Sequence, residues 1–348
     1  MTTEETKFQP KDYKSDQYVR WCPGCGDHAV LNCLHKAMAE VGVAPHNMAV
    51  ISGIGCSSRL PYYMNTYGFH TIHGRGAAIA TGVKTARPDL SVWLITGDGD
   101  CLAIGGNHFI HAVRRNIDLN IVLFNNKIYG LTKGQYSPTS DRGFVSKSSP
   151  YGTVEDPFVP AELALGARGN FFARSIDVDL KNTTEVLTAS ARHKGASVTE
   201  VLVNCVIFND GIHKGIVDKA YRADRTIFLR HGEKMVYGAN MDKGLVLDGL
   251  KLKSVTIGQD GYTMDDVLVH DAPPGNEQFD NNVKDVFQLY IKTLPSLMFC
   301  LHAHNHCVSA ADLFEDGIIY YGCANIAKRS YLLFTLTPDD YMYEVVNF

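Results

Sequence analysis

The sequence predicts an α/β protein organised as a doubly wound, mainly parallel sheet with helices on both faces. Two observations carry this. Short apolar runs bounded by turn residues alternate with segments of helical spacing, and the polar residues able to bind a ligand stand just after those runs. In such a sheet, ligands bind along the edge where the strands end.

Residues 1–20 are polar and charged, contain Pro10 and few apolar anchors, and are expected to form an extended arm outside the core. Val30, Cys33, Leu34, Ala37 and Val41 then mark one apolar helix face, on which Cys33 is a small buried residue rather than a ligand. Met48–Ser52 reads as a strand, followed by the Gly-rich turn Gly53-Ile54-Gly55-Cys56-Ser57-Ser58. Residues 76–87, rich in small side chains, are expected to be helical. Residues 90–96 suit a buried strand, 101–115 have helical spacing, and 119–124 form a second buried strand that closes on Asn125-Asn126.

Residues 137–160, with Pro138, Pro150, Pro157 and Pro160 among serines, read as a loop-rich connection. Residues 161–165 and 183–194 have helical composition, and 171–176 and 197–203 are strand-like. From 211 to 231, charges of both signs alternate with a few apolar residues, the pattern of a surface excursion. Residues 255–257 and 267–270 are expected to pair locally. Residues 275–348 carry no motif that places them. Within them, the stretch from Cys300 to Cys307 looks like a metal site, but in a strand its three histidines share one face, and no second metal is expected there.

With 348 residues, 45% apolar and 20% charged, the chain has the composition of a soluble globular protein of about two domains or one large α/β domain. A net charge of −4 gives no reason to expect nucleic acid or an anionic membrane as a partner. No apolar run reaches the roughly 20 residues that span a bilayer. The polar, acidic start lacks the pattern of an export signal, so a cytoplasmic protein is expected. Nine cysteines, an odd number, argue against a disulfide framework and for metal ligation or plain burial.

The chemistry concentrates at Gly97-Asp98-Gly99-Asp100 and Asn125-Asn126. Gly97 and Gly99 let the backbone turn and approach a ligand, and Asp98 supplies the oxygen a hard cation such as Mg2+ requires. The amides of the helix that follows face the same anion. Adjacent strand ends let Asp98 and the Asn pair share one ion, which reads as a Mg-diphosphate site. Gly-Asp-Gly by itself more often marks a hairpin turn; with the double Asn that closes the next apolar strand it resembles the motif of thiamine diphosphate enzymes, and that resemblance favours the metal. His73-Gly74-Arg75-Gly76 opens a helix and suits close approach to an anion, although His73 alone reads as a core histidine and Arg75 as a surface charge.

Trp21-Cys22-Pro23-Gly24-Cys25-Gly26 makes a tight loop presenting two thiolates, the arrangement that holds iron-sulfur clusters and zinc. A thioredoxin-type redox motif would open a helix directly after a strand, and here a polar arm precedes it. Cys56 and Cys205 each follow a strand-like run, on the side of Asp98 and Asn126. Cys22, Cys25, Cys56 and Cys205 can therefore make a four-thiolate site beside the diphosphate.

These motifs occur in the order found in 2-oxoacid:ferredoxin oxidoreductases, and the chain resembles the β subunit of that family over residues 21–271. The resemblance rests on Trp-Cys-Pro-Gly-Cys-Gly, Gly-Ile-Gly-Cys-Ser, His73-Gly74-Arg75-Gly76, Gly97-Asp98-Gly99-Asp100, the run from Asn126 to Gln135, and Cys205. It implies a sheet of the thiamine diphosphate-binding, diphosphate-domain type. It implies that Cys22, Cys25, Cys56 and Cys205 hold one 4Fe-4S cluster, and that Asp98, Asn126 and the Ile128 carbonyl hold Mg2+. Thiamine diphosphate is expected against Ile54, Gly55, Ser57, His73, Gly99, Asp100, Gly130 and Leu131, with Cys56, Arg75 and Gly97 in the same set. Lys133 matches a lysine at the mouth of the substrate pocket, suited to an acid carboxylate or a coenzyme A phosphate, and His73 and Lys133 are the expected catalytic pair.

The implied reaction converts a 2-oxoacid, coenzyme A and two oxidised ferredoxins into acyl-coenzyme A, CO2 and two reduced ferredoxins. The motifs look most like those of 2-oxoglutarate enzymes, and pyruvate and branched-chain members share most of them. A non-redox decarboxylase needs no four-thiolate site, and an iron-sulfur carrier without enzymatic activity needs no Asp98 and Asn126. A separate α subunit is expected to supply the acid facing the aminopyrimidine, in an αβ pair or its dimer. The expected division is an arm over 1–20, a cofactor domain over 21–271 and a C-terminal extension over 272–348.

Overall fold

The computed structural model describes residues 7–248 and 251–270 and the strands at 309–313, 319–325, 330–337 and 340–347. Six strands form the central sheet: β1 (Met48–Ser52), β2 (Tyr67–His70), β3 (Ser91–Gly97), β4 (Asn120–Asn125), β5 (Phe172–Ile176) and β6 (Ser197–Leu202). All neighbours are parallel, in the order β2-β1-β3-β4-β6-β5. Helices cover both faces, so the inner strands are apolar runs without alternation. Trp93 and Ile95 enter one core with Val30, Leu34 and Met38 of α1 (Asp27–Val41) and Leu187 of α6 (Leu180–Arg192). Leu94 enters the other with Ala80 of α2 (Gly76–Ala86), Phe109 of α4 (Gly106–Arg114) and Ala164 of α5 (Pro160–Gly166).

The apolar runs fall on β1, β3, β4, β5 and β6. The single helix expected over 101–115 is two: α3 (Asp98–Leu102) and α4, broken at Ala103-Ile104-Gly105. The break makes room for the His73 loop. A Cβ on Gly74 would lie 2.6 Å from the Gly105 nitrogen, so the two backbones touch. Asp98 and Gly99 accordingly occupy the first turn of a helix and not a hairpin turn.

The polar segment expected as a free arm is tied down. Tyr13 is fully buried, and its hydroxyl donates to the Val43 carbonyl at 2.8 Å. Two short helices, α7 (Lys214–Val217) and α8 (Arg222–Arg225), interrupt the expected surface excursion, and His213 and Ile227 are buried there. Beyond it, β7 (Val236–Tyr237), β8 (Lys243–Asp248) and β9 (Lys251–Thr256) form an antiparallel sheet. Val255 pairs with Gly244 and not with 267–270, which run beside Lys234 and Leu245. β10 (Ser309–Leu313), β11 (Ile319–Asn325), β12 (Ser330–Thr337) and β13 (Asp340–Asn347) form an antiparallel meander, and the stretch from Cys300 to Cys307 lies outside the described residues. Among the described residues no helix is long and apolar enough to cross a membrane.

One polar cross-link runs through the sheet. Arg174 of β5 stands opposite Glu200 of β6, with Nε 2.6 Å from Oε2. The other Glu200 oxygen accepts from Asn125 Nδ2 at 2.7 Å, at the end of β4. Both charged side chains are buried. Buried His213 Nε2 meets the Asn125 carbonyl at 3.0 Å and must carry a proton to donate there.

Two predictions follow from this lattice. Glu200→Ala removes the carboxylate from a buried guanidinium and from Asn125, and should lower unfolding free energy in urea by about 3–5 kcal/mol. A loss below about 1 kcal/mol would show that the pair is not a structural cross-link. Burial holds His213 down to about 4, against which the Asn125 carbonyl acts only partly. The unfolded chain therefore binds a proton near pH 6.5 that the folded one refuses until about pH 4. This stability is complete above pH 6.5, is lost as pH falls through that window, and amounts to about 3 kcal/mol. Asp27 and Asp98, raised by burial to about 7 and about 6, act in the opposite sense, so the comparison is with His213→Asn. The variant should lose less stability than the wild type between pH 7 and pH 4, and equal losses would refute the assignment.

Candidate cofactor site

Because every strand of the central sheet runs the same way, the loops that follow them gather on one edge. Gly97 pairs with Phe124 and Asn125 with Leu202, so Asp98, Asn126 and the segment leading to Cys205 leave the sheet side by side. β1 delivers the Gly53–Ser58 turn to the same edge, and the His73 loop follows β2. Asp100 binds these loops together. Its Oδ1 accepts from the Ile54 amide at 3.0 Å and the Gly74 amide at 2.7 Å, and lies 2.7 Å from His73 Nδ1. Its Oδ2 accepts from Thr96 Oγ1 at 2.8 Å. Gly53 has to be glycine, because a Cβ there would collide with the Asp100 carboxylate.

The loops enclose a cavity of about 530 Å3. Asp98 stands buried in its wall, and burial pushes its carboxyl up to about 6 while the Ser137 and Thr139 hydroxyls pull it down. Asn126 Oδ1 accepts from the Ile128 amide at 3.1 Å, so the amide side chain and the Ile128 backbone are folded onto one spot. Between them Lys127 has φ 54, a left-handed conformation costly for a side-chain-bearing residue. A buried carboxylate with an amide and a carbonyl oxygen nearby is a donor set for a hard divalent cation.

The four predicted cysteines converge on the neighbouring wall. Trp21 Nε1 donates to the Cys56 carbonyl at 2.7 Å, and the Gly26 amide donates to the Asn204 carbonyl at 3.1 Å. The Cys22–Cys25 loop is thus docked on both the Cys56 turn and the strand end before Cys205. Cys56 Sγ and Cys205 Sγ each stand 3.5 Å from the point a Gly130 Cβ would occupy. Burial raises the Cys25 thiol well above its ordinary value and the Cys56 thiol to about 12, and Asp27 and the other thiols raise both further. Among the described residues no three His, Cys, Asp or Glu side chains gather closely enough for a single ion. Cys33 is buried between α1 and α6 and takes no part, its Sγ reaching the Leu180 carbonyl at 3.4 Å.

Of the residues expected at the cofactor, Ile54, Gly55, Cys56, Ser57, His73, Gly97, Asp98, Gly99, Asp100, Asn126, Ile128, Gly130 and Leu131 line the cavity. Arg75 and Lys133 do not. Arg75 Nη1 lies 3.5 Å from the carbonyls of His73 and Ile104, and Lys133 sits exposed with φ 77 in the turn between Tyr129 and Gln135. Lys133 is thereby held on the rim and not in the wall. Tyr129, part of the motif but not among the residues expected at the cofactor, packs its ring on Gly99, meets His73 edge-on at 5.9 Å and donates its hydroxyl to the Gly99 carbonyl at 2.8 Å. Sequence reasoning missed Asp27, Phe124, Thr132 and Gln135 in the lining. Asp27 directly follows Cys25-Gly26, and that adjacency was the available signal.

Residues 46–201 match the family described as thiamine pyrophosphate enzyme, C-terminal TPP binding domain. The chain is 53% identical over 271 residues to the 2-oxoglutarate oxidoreductase subunit KorB of Mycobacterium tuberculosis, covering 78% of this chain and 72% of that protein. It is 44% identical over 211 residues to the 2-oxoacid:ferredoxin oxidoreductase subunit beta of a Sulfolobus species, covering 60% of this chain and 69% of that one. Among solved structures, 2-oxoglutarate:ferredoxin oxidoreductase from Magnetococcus marinus, with 2-oxoglutarate, coenzyme A and succinyl-CoA bound, superposes with a TM-score of 0.61 at 40% identity. That match covers 66% of this chain and 77% of the other. With the cofactor edge built from its own residues and relatives matched over most of their length, the chain belongs to the β subunits of the thiamine diphosphate-dependent 2-oxoacid:ferredoxin oxidoreductases.

Proposed function

We propose that this chain contributes the diphosphate half of a thiamine diphosphate site and a 4Fe-4S cluster to an enzyme that converts 2-oxoglutarate and coenzyme A to succinyl-coenzyme A and CO2, with ferredoxin as electron acceptor. The observation that carries this is one sheet edge bearing Asp98, Asn126 and Ile128 on one wall of a cavity and Cys22, Cys25, Cys56 and Cys205 beside it. The names of the relatives and the substrates bound in the Magnetococcus structure favour 2-oxoglutarate over pyruvate or a branched-chain 2-oxoacid. In this reading residues 21–271 form the cofactor unit, and the many unpaired thiols suit the reducing cytoplasm.

Asp98, Asn126 Oδ1 and the Ile128 carbonyl would hold Mg2+, which neutralises the diphosphate. The Gly53–Ser58 turn and Gly99 bring backbone close to the cofactor, and His73, fixed by Asp100, faces the cavity. When bound, thiamine diphosphate supplies the carbanion stabilisation that decarboxylation of a 2-oxoacid requires. Lys133 and Arg75 provide positive charge outside the cavity, placed for the anionic ends of 2-oxoglutarate or coenzyme A. An α subunit is inferred to complete the site with the acid for the aminopyrimidine, in an αβ pair or its dimer. A cluster protein without enzymatic activity would have no use for the Asp98 wall.

Two outcomes test the reading. Anaerobically prepared protein should hold about four irons per chain; Cys205→Ala should lose them and Cys33→Ala should keep them, and equal loss in both would refute the ligand set. In the assembled complex, Asp98→Ala should abolish thiamine diphosphate binding measured by calorimetry. Full cofactor occupancy in that variant would remove the cation site.

A further inference from the structure

We propose that the turn Ser137-Pro138-Thr139-Ser140 sets the metal selectivity of this site: Ser137 and Thr139 occupy one oxygen of Asp98, so that the carboxylate meets a divalent cation through the other oxygen alone. The inference rests on the reading of Asp98 as a cation ligand.

Ser137 Oγ and Thr139 Oγ1 each lie 2.5 Å from Asp98 Oδ2, and all three side chains are buried. Thr139 has one proton and three acceptors in reach, Asp98 Oδ2 at 2.5 Å, Asn125 Oδ1 at 3.0 Å and Ser137 Oγ at 3.3 Å. The shorter, charged acceptor takes it, because charge-assisted hydrogen bonds are the stronger ones. Asp98 Oδ2 therefore receives two hydroxyl protons, and its in-plane lone pairs are filled.

The turn cannot swing away to release that oxygen. Ser140 Oγ accepts from the Ser137 amide at 2.8 Å and donates to the Lys127 carbonyl at 2.7 Å, which ties the turn to the backbone between Asn126 and Ile128. Asn125, beside Thr139, is fixed by Glu200, and Glu200 by Arg174. One four-residue turn thus touches Asp98 and braces the segment bearing the other two proposed ligands.

The chemical consequence follows from what the ions demand. Mg2+ takes six ligands in near-ideal octahedral geometry, which one-oxygen carboxylates satisfy, whereas Ca2+ takes six to eight and readily accepts a carboxylate through both oxygens. Filling Oδ2 withholds the second oxygen, and so disfavours Ca2+ while leaving the Mg2+ geometry intact. Ser137 and Thr139 are positioning residues; neither is assigned contact with the cation.

The test uses this chain co-expressed with its α subunit and measures thiamine diphosphate binding by calorimetry against titrated Mg2+ or Ca2+. In Ser137→Ala/Thr139→Val, which removes both hydroxyls and keeps the threonine shape, the ratio of Ca2+ to Mg2+ half-saturation concentrations should fall about tenfold. Thr139→Ser should keep the wild-type ratio. Should the double variant not accumulate, Ser137→Ala alone should move the ratio in the same direction. An unchanged ratio, including one in which both ions weaken equally, overturns the inference and leaves the turn a structural brace. Asp98→Ala separates the two readings. If it retains divalent-dependent cofactor binding, the cation site itself falls; if it loses that binding while the hydroxyl variants keep their ratio, only the selectivity inference falls.

Discussion

A buried carboxylate holds the cofactor edge together. Asp100 lies in the first turn of α3, and its two oxygens meet four donors from three places: Ile54 in the turn after β1, His73 and Gly74 in the loop after β2, and Thr96 near the end of β3. Burying a carboxylate is costly unless its lone pairs are met, so these donors are not interchangeable decoration. They fix where two loops and the end of β3 stand relative to one another before any ligand arrives. The same contact dictates glycine at 53 and the close backbone approach at 74, and through Gly74 it explains why the helix after Asp98 breaks at Gly105. Asp100 reaches the cavity wall, but its chemistry is already engaged by the protein, which makes it a keystone of the site more than a contact for its contents.

Much of this architecture is legible in the sequence, for a physical reason. Strands covered on both faces must be apolar throughout, so β1, β3, β4, β5 and β6 announce themselves as short runs. β2 does not, because Tyr67-Gly68-Phe69-His70 is the exposed edge strand and carries no buried run. The cavity-lining residues were readable because close backbone approach and cation ligation restrict residue type. Tertiary events were not readable. Nothing local marks Tyr13 as the anchor of a polar segment, Gly74 as the wedge that splits a helix, or Arg174 and Glu200 as partners across two strands. The turn from Ser137 to Ser140, read only as part of a Pro- and Ser-rich connection, shows the limit: its hydroxyls matter because of Asp98, far away in sequence.

The segment after β4 shows how fold stability is converted into a prepared site. Lys127 in the left-handed region costs on the order of 1 kcal/mol or more and persists only where its surroundings insist. They do. Its amide donates to Asn125 Oδ1 at 3.2 Å, its carbonyl accepts from Ser140 and from Asn209, and its ammonium pairs with Asp141 at 2.6 Å. Asn209 also donates to the Asn126 carbonyl, from the loop that begins at Cys205. The conformation of the proposed cation-binding turn is therefore imposed from several directions.

That last contact joins the two halves of the site. The chain from Asn126 to Gly130 begins at the proposed cation ligand and ends against the sulfurs of Cys56 and Cys205, and the Cys205 loop reaches back to hold its start. A single stretch of backbone is thus wall to both the cavity and the thiol cluster. The choice of glycine at its far end fits that double duty, because Gly130 leaves the sulfurs facing bare backbone with no side chain between. Had the thiols served only to cross-brace the fold, they could have been placed anywhere under the sheet. Their position a few atoms of backbone from the cavity, drawn from three separate segments of the chain, is what the proposed redox role requires.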